Sequence, residues 1–165
     1  MNRTTDLLLT ALAPAIWGSS YIVATELLPH GYPLTVSLLR ALPAGLILLL
    51  VVRQLPQSGW WGKVLILGAL NFAIFWSMLF LAAYRLPGGV AATLGAVQPL
   101  FVLFLARFAL GSTIKLAGII AAISGIFGVA LLVLDPGATL DPVGIASATI
   151  GALSMAAGTV LTRKW

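Results

Sequence analysis

The sequence has no cysteine, one histidine and four acidic residues among 165 positions. Without cysteine, the chain cannot form a disulfide, a thiolate metal site or a cysteine nucleophile. The acidic residues Asp6, Glu26, Asp135 and Asp141 all fall at or beyond the ends of long apolar runs, and His30 lies in a loop. A membrane enzyme needs a nucleophile with its base, paired carboxylates or metal ligands close together. The sequence therefore predicts a protein that is not an enzyme and that binds no cofactor or metal.

Charge is scarce as well, because only 8% of the residues are charged whereas 61% are apolar. Soluble domains carry about a quarter charged residues, and a run of about 20 residues with almost no charge can cross a bilayer as a helix. Six such runs predict an all-α polytopic membrane protein with transmembrane helices at 7–28, 33–52, 64–84, 90–110, 116–134 and 143–161. They leave no room for a soluble domain. The expected surroundings are a lipid bilayer, and no nucleic acid is expected as a partner despite the net charge of +5.

The basic residues are distributed unevenly between the two sides of the predicted bundle. With six spans, alternate loops lie on the same side of the membrane. Seven of the nine lysines and arginines fall on one side. These seven are Arg3, Arg53, Lys63, Arg107, Lys115, Arg163 and Lys164. The opposite side has Arg85 alone. Because lysine and arginine accumulate on the cytoplasmic side, both termini are predicted to be cytoplasmic.

A few polar and aromatic side chains lie inside the predicted spans, where each polar group needs a partner in protein or water. One interpretation is that they line a cavity for a small amphiphilic solute, with aromatic walls and a few hydrogen-bonding groups. The candidates are Trp17, Ser20, Tyr21, Asn71, Trp76, Thr93 and Gln98. The alternative is hydrogen bonding within the bundle, which is favoured for any single Ser or Thr because its hydroxyl can bond the carbonyl one turn back. For Trp17, Asn71 and Gln98, both interpretations stay open.

Arg40 and Pro99 are unusual for the interior of a span. Arg40 is the only charge well inside one, where insertion costs about 2.5 to 3.5 kcal/mol at the helix centre. It either attracts an anionic group, such as a substrate carboxylate, or snorkels outward to bind carbonyls or Glu26. Pro99 lies near the middle of the fourth span, where its ring predicts a kink. Such a kink serves either as a hinge or for packing alone.

Small residues recur every fourth position in the sixth span, at Gly144, Ala148, Ala152 and Ala156. Lipid gives helices no hydrophobic reason to associate, so small residues that let backbones approach mark the faces that pack together. The pattern predicts that this stripe faces other helices of a compact bundle.

Several short motifs follow one another along the chain. They are Ala-Ile-Trp-Gly-Ser-Ser-Tyr at 15–21, Leu-Leu-Arg-Ala-Leu-Pro-Ala-Gly at 38–45, Leu-Pro-Gly-Gly-Val-Ala-Ala at 86–92, Gln-Pro-Leu-Phe at 98–101, and the apolar stretch 118–134. Their order and spacing resemble the EamA repeat of the drug/metabolite transporter superfamily over essentially the whole chain. The resemblance implies an inner-membrane exporter of small metabolites, such as amino acids, amines or pigments, that works by alternating access. The rival expectation is a non-transporting membrane subunit or gene remnant that needs a partner chain.

Members of that family have ten helices in two inverted five-helix repeats. The resemblance therefore implies that residues 1–134 form the first repeat, and that 135–165 form a loop and the first helix of a truncated second repeat. The sixth span aligns weakly with the first, so that Gly151 meets Ala13 and Gly158 meets Ser20. In this family the central cavity lies between the repeats. The cavity candidates named above would thus supply one wall, and the missing repeat or a second chain would supply the other.

Overall fold

The structure is a computed structural model that describes residues 3–28, 31–133 and 140–165. Six helical stretches follow one another, and we number them α1 to α6. They are α1 (Arg3–Ile22), α2 (Pro33–Val52), α3 (Ser58–Arg85), α4 (Gly88–Leu110), α5 (Leu116–Val133) and α6 (Pro142–Lys164). The described ranges contain no β-strand.

Four of these helices, α2, α3, α4 and α6, are long and apolar enough to cross a membrane. Helices α1 and α5 contain shorter apolar stretches, Thr5–Trp17 and Leu116–Gly125. The chain is therefore an all-α polytopic membrane protein, as its sequence predicts. The predicted start of the third span at residue 64 marks where the apolar run begins, whereas α3 itself begins at Ser58. A helix can extend past the hydrocarbon into the interface, so hydropathy alone underestimates its length.

Local chemistry sets several of the helix ends. Pro142 occupies the first turn of α6, and the Asp141 carboxylate accepts a hydrogen bond from the Val143 amide at 2.9 Å. Both are favoured at a helix start, because the first-turn N–H groups have no partner within the helix. At the C-terminal end of α4, Gly111 terminates the helix with φ at 66°, a left-handed conformation that glycine adopts without strain.

Helix α6 lies in the middle of the packing. It contacts the Phe75–Arg85 segment of α3 and the Gln98–Leu110 segment of α4 more extensively than any other pair of segments contacts each other. The predicted stripe of small residues is buried along it, at Gly144, Ala148, Ala152 and Ala156. This confirms the prediction that the stripe marks a packed face.

Helix α3 contains a π-helical turn at Ala69–Ile74, between α-helical segments. The 3.6-residue period of the sequence did not predict it. Two side chains supply extra donors to carbonyls at this turn. Ser154 of α6 donates to the Leu70 carbonyl at 2.8 Å, and the Asn71 amide donates to the Leu67 carbonyl at 3.0 Å. Since a π turn disrupts the regular i to i+4 bonding, these donors help to satisfy the backbone there.

Helix α4 is interrupted between Gly88–Gly95 and Gln98–Leu110. The Val97 N–H donates to the Leu94 carbonyl, and the Leu100 N–H donates to the Val97 carbonyl. The interruption immediately precedes Pro99, which has no N–H to donate to the Gly95 carbonyl one turn back, so the helix is broken where the predicted effect of the proline ring falls. Pro99 lies in the first turn of the second segment, where a residue without an N–H is well tolerated.

Different interactions join α3 to α6 at the two ends of the bundle. At one end, the Lys63 ammonium lies 4.5 Å from the ring centroid of Trp60 and 5.7 Å from that of Trp165. At the other end, Arg85 and Asp141 form an ion pair with a distance of 2.8 Å. The hydrogen bonds from Arg85 and then from the Val143 amide hold the pKa of Asp141 below its usual value.

Candidate solute-binding site

Four aromatic side chains form a cluster where α1 meets the middle of α3. Trp17 stacks on Phe75 with ring centroids 5.7 Å apart and lies 5.2 Å from Trp76. Trp76 in turn contacts Phe75 edge-on at 5.3 Å and stacks on Phe80 at 5.7 Å. These separations fall in the range that aromatic pairs prefer. Phe75 is only 4% exposed, whereas Trp17 is 37% exposed, so one ring of the cluster is fixed and the other is open on one side.

Arg40 of α2 extends this cluster. Its guanidinium carbon lies 4.3 Å from the Trp76 ring centroid, a cation–π contact that neither sequence interpretation included. Within the residues that the structure describes, Arg40 forms no ion pair, so the proposed contact with Glu26 is not observed. Arg40 also borders a small cavity of about 270 Å³ together with Ser19 and Phe80. The aromatic ring stabilises the charge inside the span without consuming its hydrogen-bond donors.

Two further cavities are larger. The first, which we call the Gln98 cavity, has a volume of about 310 Å³. Trp17, Phe75, Gln98 and Pro99 line it together with small residues of α4 and α6. The small residues are Ala91, Ala92, Gly95, Ala96, Ala148, Gly151 and Ala152. No hydrogen bond to the Gln98 side chain is found within the described ranges, so its amide is available to a guest. An apolar recess with one free amide suits a small amphiphilic molecule.

A second cavity, the Asn71 cavity, has a volume of about 560 Å³. Its walls include Asn71, Phe72 and Trp76 of α3 with Met155 and Thr162 of α6, and again Trp17 and Phe75. The Asn71 amide packs directly against the backbone of Gly158, where a side chain would overlap it. The Asn71 side chain is therefore held between its own helix and α6.

The structure brings together four of the seven predicted lining residues. Trp17 borders both cavities, Gln98 borders one, and Asn71 and Trp76 border the other. Thr93 lines neither cavity, and its hydroxyl donates to the Gly89 carbonyl one turn back at 2.9 Å, as favoured for a single threonine. Ser20 and Tyr21 belong to α1, and their side chains lie outside the described part of the chain.

Sequence analysis missed Phe75, which lines both cavities. One signal was present, because Phe75 follows Asn71 by four residues and so shares its face on a regular helix. Trp76 follows Asn71 by five residues and lines the same cavity as well. A π turn bonds residue i to residue i+5, which brings positions five apart to one side. No pattern in the sequence indicated that turn.

Comparison with known proteins identifies the family. Residues 4–134 match the model of the EamA-like transporter family. The chain belongs to this family. Among curated relatives, protein PecM of Dickeya dadantii is 46% identical over 153 residues, which are 93% of this chain and 51% of PecM. The uncharacterized inner membrane transporter YedA of Escherichia coli K12 is 33% identical over 150 residues, or 88% of this chain and 49% of YedA.

A plant relative, the chloroplastic WAT1-related protein At3g02690 of Arabidopsis thaliana, is 31% identical over 161 residues, or 89% of this chain and 38% of the relative. The EamA chain thus spans about half the length, or less, of the curated relatives it matches. No solved structure matches it. These comparisons establish membership of the family, and the activity and substrate of the whole protein are matters for proposal.

Proposed function

We propose that these residues form one wall of the solute path in an exporter of small metabolites, such as amino acids, amines or pigments, that works by alternating access. The observation that carries the proposal is the pair of cavities meeting at Trp17 and Phe75. Their walls combine aromatic rings with the amides of Gln98 and Asn71. A transporter needs such a recess within the bundle, and family membership gives it a transporting context.

The chemistry of the walls limits the kind of solute. Apart from Gln98, the lining of the Gln98 cavity consists of aromatic and aliphatic side chains and glycine backbone. Such walls favour a solute with an apolar or aromatic body, and one amide can orient one polar group on it. Our proposal therefore places a small amphiphile there, with its apolar part against Trp17 and Phe75.

The organisation of the whole carrier belongs to the same proposal. We place the first repeat at 1–134 and assign 135–165 to the loop and first helix of a second one. The match to about half of each of two relatives supports this division. The opposite wall would then come from further helices, supplied by the same protein or by a partner chain.

Replacing Gln98 tests the cavity. We expect Gln98→Leu to reduce flux by up to about tenfold, because one hydrogen bond to the solute is worth about 0.5 to 1.5 kcal/mol. The measurement is uptake of a panel of radiolabelled amino acids and amines into proteoliposomes that contain the full native product. Gln57→Leu is the matched control, since Gln57 lies at the start of α3 and lines neither cavity. Equal flux in both variants would remove Gln98 from the path.

Cysteine labelling tests the proposed orientation. The 165 residues contain no cysteine, so a cysteine introduced at Ser58 or at Ser112 is the only thiol among them. With cytoplasmic termini, both positions face the cytoplasm, and an impermeant maleimide should label them in inverted vesicles and not in intact cells. Labelling from outside only would reverse the assignment.

A specific observation favours one alternative, a subunit that completes its bundle with a second chain. In α2, only 6% of the residues of its apolar window are buried, so most of this helix is free to meet lipid or another helix. Two results together would favour the subunit over the exporter: a second membrane protein co-purifies with the native product, and the native product reconstituted alone shows no flux.

A further inference from the structure

The Gln98 cavity and the Asn71 cavity follow one another along the bundle. Beyond Phe75, the first is lined by Leu79 and Ala82 of α3, whereas the second takes its α3 residues from Val64 to Trp76. Helix α6 runs antiparallel to α3, and its residues are divided between the cavities in the same way. Ala148 borders the first cavity, and Thr162 borders the second. Val64 and Ala82 are separated by roughly 25 Å of helix, close to the thickness of the hydrocarbon core. The two cavities therefore occupy opposite halves of the bundle.

Trp17 and Phe75 are the residues that both linings share. Their rings are stacked, with planes inclined by 22° and centroids 5.7 Å apart. Phe75 is buried against Trp76, and Trp17 projects from a different helix with 37% of its surface exposed. The stacked pair stands between the cavities.

We propose that the stacked Trp17–Phe75 pair is the barrier of the solute path, and that unstacking of Trp17 connects the Gln98 cavity with the Asn71 cavity. This rests on the proposed function, because a barrier matters only if a solute passes. Trp17 is the moving partner, since its exposed side leaves it room to rotate whereas Phe75 is enclosed. A stacked pair suits this role because separating it breaks no hydrogen bond.

The backbone near both rings departs from regular helix. The π turn Ala69–Ile74 ends directly before Phe75, and a second π turn, Val23–Leu27, follows α1 and begins six residues after Trp17. Turns of this kind are frequent at functional sites.

Water access to the two cavities tests the barrier without any substrate. Ala92→Cys reports on the Gln98 cavity, and Gly68→Cys reports on the Asn71 cavity, where a side chain at this glycine meets no atom within 4 Å. The probe is an impermeant sulfonated maleimide, added to one face at a time of sealed proteoliposomes that hold the full native product. With Trp17 present, we expect each cysteine to be labelled predominantly from a single face, and the two from opposite faces.

In Trp17→Ala, each cysteine should become labelled from both faces, with the rate from the formerly closed face rising at least tenfold. Trp17→Phe retains a stacked ring and should restore one-sided labelling. Trp61→Ala is the control, because Trp61 lies near the start of α3 and lines neither cavity. Phe75 itself is left intact, since truncating a buried ring risks unfolding.

One-sided labelling that persists in Trp17→Ala, or two-sided labelling with Trp17 present, overturns the barrier. The two proposals fail separately. Flux with unchanged labelling in Trp17→Ala would refute the barrier and leave the exporter standing. The expected labelling pattern in a protein without flux would support the barrier and count against the exporter.

Discussion

Helices α2 and α6 differ in a way that reverses the rule for soluble proteins. The window of α2 is the more apolar of the two, yet only 6% of it is buried inside the protein, against 50% for α6. The exposed positions of α2 are mostly leucine, isoleucine and valine, whereas the buried positions of α6 are mostly glycine, alanine and serine. In a bilayer the apolar helix can remain against lipid, and the helix with small residues goes inside.

The reason is that lipid removes the hydrophobic penalty for exposing leucine. What remains to hold helices together is close contact and hydrogen bonding between them. Helix α6 has both, since Gly144 and Gly158 let α3 approach its backbone and Ser154 bonds across to the Leu70 carbonyl. Helix α2 is attached differently, with its Arg40 lying over Trp76.

The largest expected effect tests close contact. In Gly158→Ala, the new methyl group overlaps the Asn71 amide, which must move and give up its bond to the Leu67 carbonyl. We expect a loss of about 1 to 3 kcal/mol in the free energy of unfolding. On α2, Gly45→Ala meets no atom within 4 Å and should be neutral or slightly stabilising. Thermal unfolding in detergent measures both, and equal melting temperatures would erase the contrast between the helices.

An intermediate effect tests hydrogen bonding between helices. Ser154 and Ser37 are similarly buried, at 6% and 7% exposed, but Ser154 bonds another helix whereas Ser37 bonds the Pro33 carbonyl of its own. We expect Ser154→Ala to lose about 0.6 kcal/mol, with a ceiling of about 1.7 kcal/mol. Ser37→Ala should change stability less, because the hydrogen bond that is lost lies within one helix and does not join two helices. Unfolding curves of the two variants and the parent protein measure both losses. A larger loss for Ser37→Ala than for Ser154→Ala would contradict the interpretation.

The smallest effect concerns the exposed end of α6. Because the pKa of Asp141 is lowered in the folded protein, its contribution is present above the usual carboxyl value near 3.8 and is lost as the pH falls through the lower folded value. Asp141→Asn should therefore melt slightly below the parent protein at pH 7, and the difference should begin to shrink only below about pH 4, as the pH falls toward the lower folded pKa. A constant difference between pH 7 and pH 3 would show that the charge of Asp141 is not its cause. Exposed ion pairs contribute little, which is why this effect ranks last.

Several parts of the fold could be predicted because they depend on local chemistry. The start of α2 at Pro33 and its end at Val52 coincide with the predicted span, and the small-residue stripe of α6 is buried as expected. Trp17, Asn71 and Gln98 lie at cavities, which is the placement one sequence interpretation gave them, and a role in transport is still a prediction. Phe75 was missed because an apolar ring inside an apolar span gives no signal of its own.

The sequence by itself determined that the chain is a membrane protein, where its four long apolar helices lie and which face of α6 packs, because length, hydropathy and side-chain size are properties of each segment alone. Only the tertiary structure decided the π turn of α3 and the meeting of Trp17 with Phe75. These features depend on partners far away in the chain. The Leu70 carbonyl is bonded by Ser154, which lies 84 residues further along the chain.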